Sequence, residues 1–157
     1  MAEIKTQGTE LYLLDTDNAA VLKIACIRGL SGVGGQASDI DITCLDDQTS
    51  RRYLPGLVDN GTATFQMAMD FDSPGYLRLG EIVAGGNYKW AVGFSDGFGI
   101  DPSYDAGPPA DFDLPSGRSW MLFEGGVNQL QRSGEIDSVW MADISIRVSG
   151  DIQEIPT

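Results

Sequence analysis

Apolar and polar side chains alternate along residues 62–72 and 140–149, and this alternation constrains the fold more than any other feature of the chain. In the first segment Phe65, Met67, Met69 and Phe71 share one face, opposite Thr64, Gln66, Ala68, Asp70 and Asp72. In the second, Trp140, Ala142, Ile144, Ile146 and Val148 oppose Met141, Asp143, Ser145, Arg147 and Ser149. A period of two is typical of a β-strand with one face in a core. We therefore predict a mainly β fold.

Other segments add strands and one short helix. Residues 9–15 and 21–29 flank the turn sequence TDNAA and predict a hairpin, and residues 38–44 predict a strand or an extended arm. Residues 87–97 and two long closing segments predict further strands. Between residues 74 and 84 we expect a helix that Ser73 caps, Pro74 opens and Gly85-Gly86 ends. Its core-facing residues are predicted to be Tyr76, Leu77, Ile82 and Val83.

Six or seven strands in antiparallel order with one helix predict an antiparallel β-sandwich or small barrel. The length of 157 residues predicts one domain, residues 1–157. Two connections, about 31–61 and about 97–117, are longer than loops usually are. Long loops and polar sheet edges are both expected where neighbouring subunits complete the surface.

Composition excludes several classes of function. The net charge of −13 and a pI near 4.1 make the chain a poor binder of DNA or anionic membranes, because both repel it. The N-terminal sequence predicts no signal peptide, and the apolar runs are too short for a membrane span. Histidine is absent, which removes the commonest general base and zinc ligand. Cys26 and Cys44 are expected to be small buried side chains, with a disulfide or a reactive thiol as alternatives.

Motif searches predict no enzyme, no metal site and no cofactor. The segment GLSGVGG is neither a nucleophile elbow nor a phosphate-binding loop, so we interpret it as a flexible joint. The acidic pairs do not complete a calcium-binding loop. Arg51-Arg52 are the only adjacent basic residues. They are either a solvated loop tip or a basic tip that pairs with carboxylates of another copy.

The order of these elements resembles the tail tube proteins (major tail proteins) of long-tailed, lambda-like bacteriophages. The resemblance rests on four segments: KTQGTELYL, LPGLVDNGTATFQMAMD, SPGYLRLGEIVAGG followed by YKWAVGFSDG, and the closing hairpin from SWMLFEGG to IRVSGDI. It covers almost the whole chain, although the 97–117 loop is longer and richer in proline than the family pattern. The resemblance implies a tail-tube domain whose sheets join between subunits into a hexameric ring.

From the family it also follows that rings stack into a tube through which double-stranded DNA leaves the capsid without specific binding. The implied partners are further copies of the chain, a tape-measure protein, a tail terminator and baseplate or tip proteins, with no membrane. The implied location is the virion tail, after synthesis in the host cytoplasm.

Two sets of site residues are expected from this reading. The first, a loop between subunits or rings, comprises Asp46, Asp47, Arg51, Arg52, Tyr53, Leu54, Pro55 and Leu57. The second, candidates for the channel lumen, comprises Gln66, Asp70, Asp72, Asp143, Ser145 and Arg147. Two alternatives remain at this point: a tube protein of a contractile tail or a type VI-like secretion machine, and a monomeric β-sandwich binding module with residues 98–117 as its ligand loop.

Overall fold

The computed structural model describes residues 3–157, within which twelve strands and one α-helix are found. The strands are β1 (Glu10–Asp15), β2 (Ala20–Ile24), β3 (Ile27–Ser31), β4 (Gln36–Asp41), β5 (Tyr53–Asp59), β6 (Thr62–Ala68), β7 (Asn87–Gly93), β8 (Ser103–Asp105), β9 (Asp111–Asp113), β10 (Trp120–Ser133), β11 (Met141–Val148) and β12 (Gln153–Ile155). The helix α1 spans Pro74–Glu81 and a 3-10 turn spans Ser95–Gly97. The prediction of a mainly β, antiparallel fold with one short helix is confirmed.

Eight strands form one antiparallel sheet in the order β2-β1-β7-β10-β11-β6-β3, with β12 paired to β10. The hairpin β4–β5 and the hairpin β8–β9 are separate two-stranded sheets. The two end strands of the large sheet, β2 and β3, are consecutive in the chain and are separated by only Ala25 and Cys26. The sheet therefore curls until its ends are close, although β2 and β3 are not hydrogen-bonded to each other.

Cys26 makes that corner possible. Its φ of 59° lies in the left-handed region, and its carbonyl accepts a hydrogen bond from the backbone N–H of Ala68. The prediction of one strand over residues 21–29 is therefore wrong, because the chain leaves one end of the sheet and joins the other. Cys26 and Cys44 are both exposed, so the prediction that they are buried is also wrong.

The main core fills the concave side of the sheet, and α1 closes it. The buried side chains include Leu11, Leu13, Ile24, Phe65, Met67, Tyr76, Leu79, Trp90, Phe123, Val127, Ile144 and Ile146. In α1 the helix ends at Glu81, earlier than expected, with Ile82 as the C-cap. Leu77 is 48% exposed whereas Leu79 is fully buried, so the prediction of Leu77 as a core residue is wrong.

Both long connections contain structure that their sequences did not reveal. Residues 36–41 and 53–59 form β4 and β5, which confirms a strand over 38–41 of the segment 38–44 but contradicts an irregular loop. The 97–117 connection contains β8 and β9. Its Phe112 packs on the convex side of the sheet with Tyr12, Leu14, Ala91 and Trp120, which form a second core.

The alternating segments end sooner than their sequences suggest. Strand β6 stops at Ala68, so Asp70, Phe71 and Asp72 lie in the turn that leads into α1. The Asp70 carboxylate accepts a hydrogen bond from the Asp72 N–H, and Phe71 is 71% exposed rather than buried. Trp140 precedes β11 and is also exposed, contrary to its predicted place on the core face.

Candidate assembly surfaces

The first surface is the projecting hairpin, residues 36–59, which carries six large exposed apolar side chains. They are Ile40, Leu45, Tyr53, Leu54, Leu57 and Val58, and Leu45 and Leu57 are at least 90% exposed. In the β4–β5 register Ile40 pairs with Leu54 whereas Tyr53 pairs with Asp41 and Val58 with Ala37. Because adjacent pairs point to opposite sides, both faces of the hairpin are apolar and uncovered.

The projecting hairpin is attached to the rest of the protein at its base. The Asp59 carboxylate accepts a hydrogen bond at 2.9 Å from Arg147 Nη2, and Asn60, just beyond β5, donates its amide to the Gly150 carbonyl. A further backbone N–H from Gly61 and the Arg147 guanidinium hold the pKa of Asp59 below its ordinary value. The strands of the hairpin hold only each other, and an isolated two-stranded hairpin is marginally stable in water. The rest of the described chain therefore contributes little to the stability of this segment beyond its base.

The projecting hairpin contains all eight residues of the predicted loop between subunits or rings. Asp46, Asp47, Arg51 and Arg52 lie in the segment between the two strands, and Tyr53, Leu54, Pro55 and Leu57 lie on β5. Asp47 is committed to its own turn, because its carboxylate accepts a hydrogen bond from the Cys44 N–H at 2.8 Å. Arg52 is 3.9 Å from Asp47, an ion pair at the limit of contact. Thus the structure brings all eight residues together on one hairpin.

The second surface, the polar face, is the convex side of β3, β6, β11 and the C-terminal half of β10. Its outward side chains are Ser31, Thr62, Thr64, Gln66, Gln129, Gln131, Asp143, Ser145 and Arg147. They form rows across the strands: Ser31, Thr64, Ser145 and Gln129 in one, and Gln66, Asp143 and Gln131 in the next. The Ser31 and Thr64 hydroxyls are 3.0 Å apart, within hydrogen-bonding distance.

Of the six predicted lumen residues, four lie together on the polar face: Gln66, Asp143, Ser145 and Arg147. Asp70 and Asp72 do not, because they follow the end of β6. The polar face is also much less acidic than the whole chain. Among the nine outward side chains named above, the only carboxylate is Asp143, and the only basic group, Arg147, is paired with Asp59.

The 97–117 segment covers the rest of the convex side, and the buried Arg118 fixes it there. The Arg118 side chain lies 5.2 Å from the Trp120 ring and 6.0 Å from the Tyr12 ring, and its Nη1 is 3.0 Å from Glu10 Oε1. It donates to the backbone carbonyls of Gly8, Gly93, Phe94 and Ile100. Gly93 leaves room for it, since a Cβ there would lie 2.5 Å from the guanidinium carbon.

This buried cluster shifts the pKa values of two of its side chains. Burial alone would raise the pKa of Glu10, but the ion pairs with Lys23 and Arg118 outweigh it and hold that pKa below its ordinary value. Burial and a hydrogen bond to Asp101 raise the pKa of Tyr12. Sequence patterns gave no signal for this cluster, because its members are separated by about 100 residues or are isolated polar residues in apolar strands.

The described part of the chain shows no group of three or more acidic, cysteine or histidine side chains placed to hold a metal ion. Within residues 3–157 there is also no helix with the length and apolarity of a membrane-crossing segment. The two prominent features of the subunit surface are the apolar projecting hairpin and the polar face.

Comparison with known proteins agrees with this geometry. Residues 2–157 match the model of a family described as phage tail tube, TTP, lambda-like. "Structural protein 3" of Pseudomonas phage PAJU2 is 40% identical over 155 residues, which cover 98% of this chain and 94% of that protein.

Two solved structures share the fold at low identity. The SPP1 tail tube superposes with a TM-score of 0.68 at 11% identity, covering 99% of this chain and 80% of the SPP1 chain. The tail of an empty gene transfer agent (GTA) particle, refined with C6 symmetry, gives a TM-score of 0.67 at 13% identity, covering 99% and 100%. The chain belongs to the lambda-like phage tail tube family and is a structural protein of the virion tail.

Proposed function

We propose that six copies of this chain form a ring, that the rings stack into the tail tube, and that double-stranded DNA passes through the tube during ejection. The observation that carries the proposal is the projecting hairpin. A monomer that exposes six large apolar side chains on one segment has a surface suited to another protein, because isolated domains rarely leave such contiguous patches open. The six-fold symmetry of the related GTA tail supports the number of copies.

The polar face is the wall of the channel in this proposal. Phosphate binding depends on lysine and arginine side chains, which release counterions from DNA. On the polar face Arg147 is neutralised by Asp59, so the surface offers hydroxyls, amides and one carboxylate. Such a surface can contact hydrated DNA without binding its phosphates strongly. The channel would therefore repel DNA only weakly, and most of the charge of −13 would lie elsewhere on the subunit.

The tube has no catalytic role in this proposal, and its other contacts are with the tape-measure protein inside it and with the terminator and baseplate at its ends. The subunit would be made in the host cytoplasm before assembly. A monomeric module using residues 98–117 to bind a ligand is disfavoured, because Arg118 and Phe112 fix that segment against the sheet.

Deleting residues 43–51 and joining the shortened tip with glycine tests the proposal, since this deletion removes the exposed Leu45 and Arg51 but lies outside β4 and β5. We expect a folded protein with an unchanged circular dichroism spectrum that no longer forms tubes in negative-stain electron microscopy. Wild-type protein at the same concentration should form rings or tubes. A matched control replaces the exposed Ser116 and Glu154, which lie outside the projecting hairpin, with glycine and should assemble. A wild-type chain that stays monomeric at every concentration would refute the proposal, and tubes formed by the deletion would exclude the hairpin tip from assembly.

A further inference from the structure

The tip of the hairpin between β10 and β11 forms a second exposed apolar patch, here called the acidic cap. It comprises residues 134–140 together with residues 70–72, and its exposed apolar side chains are Phe71, Ile136, Val139 and Trp140. The two segments meet because the Met69 N–H donates to the Trp140 carbonyl at 2.9 Å, just beyond the paired residues Ala68 and Met141.

The acidic cap is ordered rather than loosely solvated. The Trp140 ring lies over Gly134, where an added Cβ would be 3.0 Å from the indole. Phe71 packs edge-on against Tyr76 with ring centroids 5.9 Å apart, and the Tyr76 hydroxyl accepts a hydrogen bond from Arg132. Between the fixed indole and Ile136 is a shallow hollow, also lined by Glu135 and Ser138. It is wide enough to accept an aliphatic side chain.

Charge distinguishes the acidic cap from the tip of the projecting hairpin. Four carboxylates surround the cap, Asp70, Asp72, Glu135 and Asp137, and within residues 3–157 none of them is in an ion pair. The hairpin tip carries Arg51 and Arg52, the only adjacent basic residues of the chain. It also carries Leu45, whose side chain is fully exposed. The tip also carries Asp46 and Asp47, and Arg52 lies 3.9 Å from Asp47, so the tip is neutral overall whereas the acidic cap carries only carboxylates. The two guanidinium groups of the tip are therefore the charges that complement the cap.

The two surfaces also lie at opposite ends of the same strands. The acidic cap follows the Ala68–Met141 end of the β6–β11 pair, and the projecting hairpin joins it at the Thr62–Arg147 end. One β6 length of seven residues, about 23 Å, separates these ends. A hairpin whose six-residue strand β4 extends about 20 Å has the reach to contact another copy. Two different surfaces form a heterologous, head-to-tail contact, which propagates along an axis when its rotation does not close into a ring.

We propose that the acidic cap is the receptor for the hairpin tip of a second copy in the next ring, with Leu45 entering the hollow beside Trp140 and Arg51 and Arg52 facing Glu135 and Asp137. This assignment rests on the proposed function, since it names the contact by which rings stack. It also accounts for the basic pair in an acidic chain.

A charge exchange tests the contact. Arg51→Glu/Arg52→Glu and Glu135→Arg/Asp137→Arg should each raise the protein concentration needed for sedimentable tubes about tenfold or more, because like charges then face each other. The four substitutions combined should restore tubes toward the wild-type concentration. As a charge-matched control, Asp105→Arg/Glu154→Arg changes two exposed carboxylates outside the acidic cap and should assemble as wild type. Thermal unfolding of each variant checks that it is folded.

Cross-linking provides a second measurement that does not depend on charge. In a Cys26→Ser/Cys44→Ser background, Leu45→Cys combined with Ile136→Cys should give a ladder of covalent oligomers under mild oxidation, whereas either substitution alone gives at most dimers. If the wild type forms tubes, but the charge exchange does not restore assembly and no ladder appears, the acidic cap is not the receptor. The proposed tube function would be unaffected by that result. A wild-type chain that never assembles would overturn both.

Discussion

Replacing Arg118 with methionine should destabilise the subunit more than any surface change, because methionine keeps much of the volume but removes the charge and its donors. Arg118 is 1% exposed and lies 3.0 Å from Glu10, itself 5% exposed. Removing one partner of a buried ion pair costs about 3–5 kcal/mol. Four carbonyls also lose their donor. For a domain of this size each kcal/mol lowers Tm by about 2–4 °C, so we expect a decrease of about 6–20 °C.

The assay is thermal and urea unfolding followed by circular dichroism, at a dilution where light scattering shows the same oligomeric state for all variants. Arg28→Met, at an exposed arginine outside any ion pair within residues 3–157, is the matched control and should change Tm little. Glu10→Gln combined with Arg118→Met should lose less stability than the sum of the two single variants, because the buried carboxylate that keeps only Lys23 as its cationic partner is then gone. A decrease of less than about 2 °C for Arg118→Met would refute the reasoning.

Two further outcomes follow from the electrostatics. Because the folded-state pKa of Glu10 is lowered, its ion pairs stabilise the protein above the ordinary pKa of 4.5, and this contribution is lost as the pH falls through the folded-state pKa. In urea unfolding, the free energies of unfolding of wild type and Glu10→Gln should therefore converge below about pH 4.5. A difference that stays constant down to about pH 3 would exclude a stabilising ion pair at Glu10. On the polar face, Gln66→Lys/Asp143→Lys should leave tubes intact but slow DNA ejection and make its rate depend on salt concentration. The control Asp105→Lys/Glu154→Lys should leave the ejection rate unchanged. Unchanged ejection from the first variant would place the polar face outside the channel.

The fold class was predictable because alternation reports directly on which face of a strand is buried. Ala142, Ile144, Ile146 and Val148 are all buried as their spacing required. The same pattern failed at its ends, since alternation continues through Phe71 and Trp140 although strand pairing stops one to three residues earlier. Where pairing ends is decided by the partner strand, which local sequence does not encode.

Residues 46–57 of the projecting hairpin were predicted as a group, and β4 was predicted in part, but β5 was not. Pro55 and Gly56 on β5 are typical of turns, and they are tolerated because this hairpin belongs to no larger sheet. A Cβ at position 56 would lie 2.3 Å from the Ser38 hydroxyl, so a larger residue there would require the Ser38 side chain to move. The buried Arg118 cluster could not be predicted, because it depends on segments that only the fold brings together.

The bend at Cys26 has a consequence for the subunit before it assembles. The outer side of β2 lies beside α1 and β8, so β3 is the end strand with an uncovered edge within the described chain. A glycine, an adjacent arginine and a bulge between Ile27 and Gly29 make β3 short and irregular. Such a strand is a poor template for pairing with a stray chain. A subunit that has not yet assembled is thereby less prone to pair through β3 with the sheet edge of another chain.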